Sequence, residues 1–89
     1  MPTATLKIIN RLGLHARAAA KFMQLAANYT CEINVDKQGK AVNGKSIMGL
    51  MMLAAAQGSE LTVSTQGDDA EQALLALREL VENRFGEPE

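Results

Sequence analysis

The sequence predicts an α+β fold, an open-faced β-sandwich in which a four-stranded, mainly antiparallel sheet carries three helices on one face. Three observations lead there. Stretches with a period-two apolar pattern interleave with stretches of helical spacing or helix-cap signals, in the order βαββαβα. Each strand has only one apolar face, so the helices must gather on that side and leave the other in water. The chain has 89 residues, 47% of them apolar but only 3% aromatic. That suffices for one domain whose core is built from aliphatic side chains and close backbone approach.

Residues 3–9 alternate, with Ala4, Leu6 and Ile8 on one face and Thr3, Thr5 and Lys7 on the other. Asn10-Arg11-Leu12-Gly13-Leu14 breaks this strand, and Gly13 is the natural turning point. From Ala16 to about Asn28 the spacing is helical, with Ala19, Phe22, Met23 and Ala26 on one stripe. Alternation returns at Cys31, Ile33 and Val35. Lys37-Gln38-Gly39 then reads as a hairpin turn into a short strand near Lys40–Val42 that Asn43-Gly44 ends. Ser46 is a good N-cap for the apolar segment Ile47–Leu53. Leu61, Val63 and Thr65 alternate in a fourth strand ending at Gly67. Asp68 and Asp69 are expected to cap the longest helix, with Glu71 and Gln72 in capping-box positions and a core stripe of Ala70, Ala73, Leu74, Leu77 and Val81.

Composition removes several classes of function. The longest apolar run, Ile47 to Ala56, is half of the ~20 residues a membrane-spanning helix needs. No signal-peptide pattern opens the chain, and the single cysteine, Cys31, has no partner for an internal disulfide, which fits a reducing cytoplasm. A net charge of -1 is a poor footprint for a nucleic-acid binder, and no partnership with nucleic acid or membrane is expected. One His and one Cys cannot build a zinc site, and phosphate-binding glycine motifs are missing, so no metal or cofactor is expected. Cys31 on an apolar strand face reads as a buried structural thiol.

The one histidine, His15, stands between a glycine turn and the first helix. A helix N-terminus presents amides without intrahelical acceptors and the positive end of the macrodipole, which together favour an anion. An imidazole offers a free lone pair near neutral pH, whereas a serine nucleophile needs a base that this sequence does not provide. Arg17, in the first helical turn, adds a planar donor fork suited to phosphate oxygens. These features describe a histidine able to accept a phosphoryl group. By position alone, a lone histidine in such a place is more often a solvated or N-capping residue than a catalytic one, and composition and spacing favour that plainer reading.

The segment Asn10-Arg11-Leu12-Gly13-Leu14-His15-Ala16-Arg17-Ala18-Ala19 resembles the active-site signature of the HPr family, the histidine-containing phosphocarriers of the bacterial phosphoenolpyruvate-dependent phosphotransferase system. Gly44-Lys45-Ser46-Ile47-Met48-Gly49 resembles the family's regulatory serine segment, and the likeness runs from about residue 2 to 86. It implies the same open-faced sandwich and a single phosphocarrier domain over residues 1–89. It implies that His15 takes phosphate on Nδ1 from phosphorylated enzyme I and passes it to a IIA-type protein. In that role Arg17 neutralises phosphate charge and the amides of Ala16, Arg17 and Ala18 cradle the oxygens. The resemblance further implies phosphorylation of Ser46 by HPr kinase/phosphorylase, a stoichiometric carrier rather than an enzyme, a cytoplasmic location and a monomer. Ala18 departs from the family, which commonly has proline there; the alanine costs about 0.4–1 kcal/mol through the freer unfolded chain if the native φ suits proline.

The short apolar segment cannot bury every side, so Ile47, Met48 and Met51, with Leu14 beside His15, are expected to form a contact surface, to which Lys21 and Lys45 add charge for an acidic partner. Three rivals stand against the carrier. An RNA-binding ferredoxin-like domain would need aromatic residues in its strands, and none lies there. A small acyl-phosphate hydrolase would need a residue to activate water. The third is a regulatory protein-interaction module acting mainly through its phosphorylation state; one that bound partners without carrying phosphate would have no use for His15.

Overall fold

Period-two alternation in this chain becomes one sheet, because each strand brings a single apolar face that only a shared layer of helices can cover. The computed structural model describes residues 2–89. Its elements run β1 (Thr3–Lys7), α1 (Ala16–Ala26), β2 (Glu32–Lys37), β3 (Lys40–Asn43), α2 (Ile47–Met52), β4 (Glu60–Gln66) and α3 (Ala70–Glu82). A short 3₁₀ turn, Arg84–Gly86, follows α3. The strands pair antiparallel throughout in the order β1-β4-β2-β3. The expected α+β architecture is therefore the observed one.

Register explains why one sheet face is dry. Leu6 lies opposite Leu61, Ala4 opposite Val63, Val63 opposite Val35 and Ile33 opposite Thr65. The alternate pairs put Thr5 against Thr62 and Asn34 against Ser64 on the open face. α3 lies over β1 and β4, and α1 packs against both α2 and α3. Phe22, Leu50, Leu61, Leu77, Val35 and Val63 are fully buried between these layers. Thr65 is the polar exception on the dry face, and its hydroxyl donates to the Ala70 carbonyl at 2.8 Å. No helix among the described residues is long and apolar enough to cross a membrane.

Boundaries shift by a residue or two from those the pattern predicts, as Ile8 leaves the ladder yet stays buried and α1 stops at Ala26. The start of α3 differs in kind. Asp69 occupies the N-cap position but makes no side-chain cap bond, so the expected capping box does not form. Its carboxylate instead accepts from the Thr30 amide at 2.8 Å and the Cys31 amide at 2.9 Å, tying α3 to the entry of β2. Tertiary donors outcompete the helix's own amides. Those bonds, the Thr30 amide foremost, hold the Asp69 carboxyl below its ordinary range, while burial pushes the Cys31 thiol up.

A second departure lies after α3. Phe85, which the helical pattern leaves outside every element, is fully buried, and it and Arg84 both adopt φ of 54°. A left-handed backbone costs about 1–2 kcal/mol at each of these two residues, a cost comparable to the roughly 1.5–3 kcal/mol gained by burying the Phe85 ring. This turn folds the following residues back toward the loop between β1 and α1.

A depressed carboxylate gives stability that is present above its unfolded pKa and lost as pH falls through its lower folded value. Urea midpoints are accordingly expected to hold from neutral pH to about pH 4 and to fall below it. Asp69→Asn should be less stable at pH 7 and should lose less on acidification than the parent. Equal acid limbs for the two proteins would refute this account.

Candidate functional site

The loop from Asn10 to Leu14 is fixed before the histidine is reached. Gly13 turns the chain at φ 69°, its amide donating to the Asn10 carbonyl at 3.1 Å, and the Leu14 amide donates to the Ala55 carbonyl at 2.8 Å. A Cβ at Gly13 would lie 2.6 Å from that same Ala55 oxygen, so the close approach and the left-handed φ both require glycine. Leu14 is buried at 5% exposure. This corrects its expected place on a contact surface, since a large apolar residue just before a helix cap anchors the helix by entering the core.

His15 is the N-cap of α1, with extended backbone, and its carbonyl accepts from the Ala19 amide at 2.8 Å. Its ring is held at both nitrogens. Nδ1 accepts from the Arg17 amide at 3.2 Å, and Nε2 pairs with a carboxylate oxygen of Glu87. An N–H facing Nδ1 and a carboxylate facing Nε2 assign the neutral ring one tautomer, with the proton on Nε2 and the lone pair on Nδ1. The side chain is 27% exposed, so the ring is neither entombed nor free to rotate in water.

Glu87 belongs to the segment that the Phe85 turn brings back. Its other carboxylate oxygen accepts from Asn10 Nδ2 at 2.8 Å, and Asn10, fully buried, also donates to the Gly13 carbonyl at 2.8 Å. The Asn10 bond first, and then His15 and the nearby Lys21 charge, hold the Glu87 carboxyl below its ordinary range, against a smaller opposing push from burial. The segment is clipped on either side of Glu87. Lys21 Nζ donates to the Phe85 carbonyl at 2.7 Å, and the Arg11 amide donates to the Glu89 carbonyl at 2.9 Å beside an exposed Arg11–Glu89 ion pair.

Arg11, Glu87 and Glu89 border an open cleft of about 690 Å³ whose lining includes His15, Ala16 and Arg17. The Arg17 guanidinium makes no hydrogen bond or ion pair among the described residues, whereas the Arg11 charge is matched by Glu89. Beyond the Arg17 amide, the first-turn amides of Ala16 and Ala18 lack intrahelical acceptors. The cleft therefore offers an incoming anion one uncommitted guanidinium and a helix N-terminus. A slightly larger groove of about 760 Å³ at the start of α3 is bordered by Asp68 and Glu71 and by no basic residue, which suits it poorly to phosphate.

Ser46 caps α2, its hydroxyl accepting from the Gly49 amide at 3.1 Å. Met48 and Met51 on α2 are exposed, Ile47 is half-buried, and Met52 and Leu12, which sequence reasoning did not single out, are also exposed. Lys21 and Lys45 do not stand free for a partner as expected. The Lys45 ammonium donates to the Tyr29 carbonyl at 2.6 Å, as that of Lys21 does to Phe85, because each reaches a carbonyl left unpaired at a chain turn. Sequence reasoning missed Glu87 and the buried role of Asn10. The one available signal was an aromatic residue followed by glycine just past the last helix.

Fold and site together are those of a small open-faced α+β domain that presents one tautomer-fixed imidazole at a helix N-terminus. The family model described as the PTS HPr component phosphorylation site matches residues 2–83. The chain is 54% identical over 82 residues to the phosphocarrier protein HPr of Cupriavidus necator, covering 92% of each. The crystal structure of HPr-C-His from Thermoanaerobacter tengcongensis superposes with a TM-score of 0.97 at 47% identity, covering 100% of both chains. That of an HPr dimer from the same organism gives 0.79 at 48% identity, covering 98% of this chain and all of the other. The chain belongs to the HPr family of the phosphotransferase system.

Gly13→Ala should destabilise the protein by more than the ~1–2 kcal/mol of a left-handed alanine alone, since the Ala55 backbone cannot move aside without releasing Leu14. Urea unfolding measures the loss, and a change below 1 kcal/mol would contradict the close packing described.

Proposed function

We propose that this protein is a phosphoryl carrier in which His15 Nδ1 accepts the group from phosphorylated enzyme I and passes it to a IIA-type protein or domain. The observation that carries the reading is the ring geometry. Nδ1 holds the lone pair, faces the first turn of α1 and borders an open cleft with an uncommitted Arg17.

In an in-line step the donor's N–P bond breaks as the Nδ1–P bond forms, and positioning and charge stabilisation govern the barrier. Once Nδ1 bonds to phosphorus it no longer accepts from Arg17. That amide is then released to a phosphoryl oxygen, joined by the amides of Ala16 and Ala18 and by the Arg17 guanidinium. The helix exchanges one cap for another, and onward transfer reverses the exchange. One chain contributes every group in this scheme, so a monomer suffices. Both oxygens of Glu87 accept from Asn10 and His15, which supports a positioning role for this carboxylate in a stoichiometric carrier. Residues 1–89 serve as one phosphocarrier domain, and the single buried thiol of Cys31 suits a reducing cytoplasm.

Ser46 is the regulatory site in this reading, phosphorylated by HPr kinase/phosphorylase. A phosphate there adds about -1.5 to -2 charges at a helix N-terminus, whose dipole favours negative charge, next to exposed Met48 and Met51. The fold is little disturbed while an acidic donor meets a repelling surface.

Labelled phosphoenolpyruvate with enzyme I should place one acid-labile phosphate on the chain, seen as a single mass addition under alkaline conditions, and His15→Ala should take none. Labelling of His15→Ala equal to the parent would end the proposal, and steady release of free phosphate would select the hydrolase. Ser46→Asp should slow uptake from enzyme I while changing stability by less than about 0.5 kcal/mol, because Asp is itself a good N-cap. An unchanged uptake rate counts against the regulatory role.

A further inference from the structure

We infer that Glu87, oriented by buried Asn10, is a positioning residue that keeps His15 in the Nε2–H tautomer and faces the ring charge that develops when Nδ1 bonds to phosphorus. The inference rests on the phosphocarrier reading for its second half and on geometry alone for its first.

Asn10 is the starting point. It is fully buried, and its Nδ2 donates in two directions, to the Gly13 carbonyl and to Glu87 Oε1, both at 2.8 Å. Exchanging the amide oxygen and nitrogen would set Oδ1 against a carbonyl and a carboxylate, so the orientation is fixed. Asn10 Oδ1 has no hydrogen-bond partner, which is a standing cost of keeping a polar side chain here. A buried amide held at that cost acts on something specific, and among the described residues Glu87 is the only side chain to which it hydrogen-bonds.

Glu87 in turn is no loose surface carboxylate. Its side chain is 16% exposed, and the bonds of Lys21 to Phe85 and of Arg11 to Glu89 fix the backbone before and after it. The second oxygen meets His15 Nε2. With Arg17 donating to Nδ1 from the opposite edge, the ring lies between an acceptor and a donor. The reverse tautomer would set Nδ1–H against the Arg17 amide and leave Glu87 facing a lone pair.

The same carboxylate has a part in transfer. As Nδ1 forms its bond to phosphorus and the donor's N–P bond breaks, the Nε2 proton stays in place and the ring gains positive charge. Glu87 already stands against that proton and offsets the charge with no rearrangement. When the Nδ1–P bond breaks toward the acceptor, the ring returns to the same neutral tautomer.

Glu87→Gln separates this from a merely structural tether. The glutamine oxygen must accept from Asn10 Nδ2, so its amide nitrogen faces His15 Nε2 as a donor. That draws the ring proton to Nδ1, where Arg17 opposes it. In full-length protein with ¹⁵N-labelled histidine, at a pH where the imidazole is neutral, the ring nitrogen shifts should show almost all Nε2–H in the parent and in Glu87→Asp. Glu87→Gln should show a mixed population. Phosphoryl uptake from enzyme I should slow at least about tenfold in Glu87→Gln and recover in part in Glu87→Asp. An unaltered tautomer population in Glu87→Gln, or an altered one with uptake within about twofold of the parent, overturns the inference. Loss of labelling in the parent itself, with the tautomer shift still seen, would remove the carrier reading and leave the assignment of Glu87 standing.

Discussion

The bond from the Arg17 amide to His15 Nδ1 starts the first helix and aims the imidazole at the same time. A helix can begin with serine, threonine or aspartate at less risk, because their short side chains reach the second or third amide in many rotamers. An imidazole must be held as a whole ring. The surrounding structure supplies that restraint. Leu14 is sunk in the core and bonded to Ala55, Gly13 makes the tight turn before it, and Glu87 closes on the far edge of the ring.

On the proposed reading, the helix cap doubles as the phosphoryl acceptor. An N-cap contributes about 1 kcal/mol, so giving up the Nδ1 bond costs little against the energy of a phosphoryl transfer. In the proposed role the departing ring nitrogen would be replaced at the amides by phosphoryl oxygens, which bind there more strongly because they are charged. On the proposed role, the fold need not move to load or unload, and a rigid domain with one buried core suits such a task. Ser46 also caps its helix, α2, but through a hydroxyl bonded to the amide three residues on, that of Gly49.

Lysines in this molecule show how exposed charge is put to structural use. Lys21 and Lys45 reach carbonyls of Phe85 and Tyr29, and Lys37 and Lys40 of the β2–β3 hairpin reach Leu53, Ala54 and Met52 at the end of α2. Carbonyls at helix ends and turns need donors, and a flexible ammonium close by supplies them. Arg17 is left uncommitted among the basic residues of the His15 cleft, which concentrates anion affinity where the imidazole stands.

Much of this was legible in the amino-acid sequence because it rests on local periodicity. Leu6, Ile33, Val35, Leu61 and Val63 alternate, and Ala19, Phe22, Leu77 and Val81 fall on helical stripes, so the order of elements and the dry face of the sheet follow from neighbours along the chain. The placement of His15 at a helix start, and the cap role of Ser46, needed only the turn signals beside them. Tertiary structure alone decided which ring nitrogen carries the proton, because Glu87 lies 72 positions from His15 and arrives only through the left-handed turn at Phe85. It likewise turned Asp69 from a helix cap into a tie to β2 and sent Leu14 inward. Hydrogen bonds between distant segments carry no periodicity, and they go to whichever donor the packed core brings within reach.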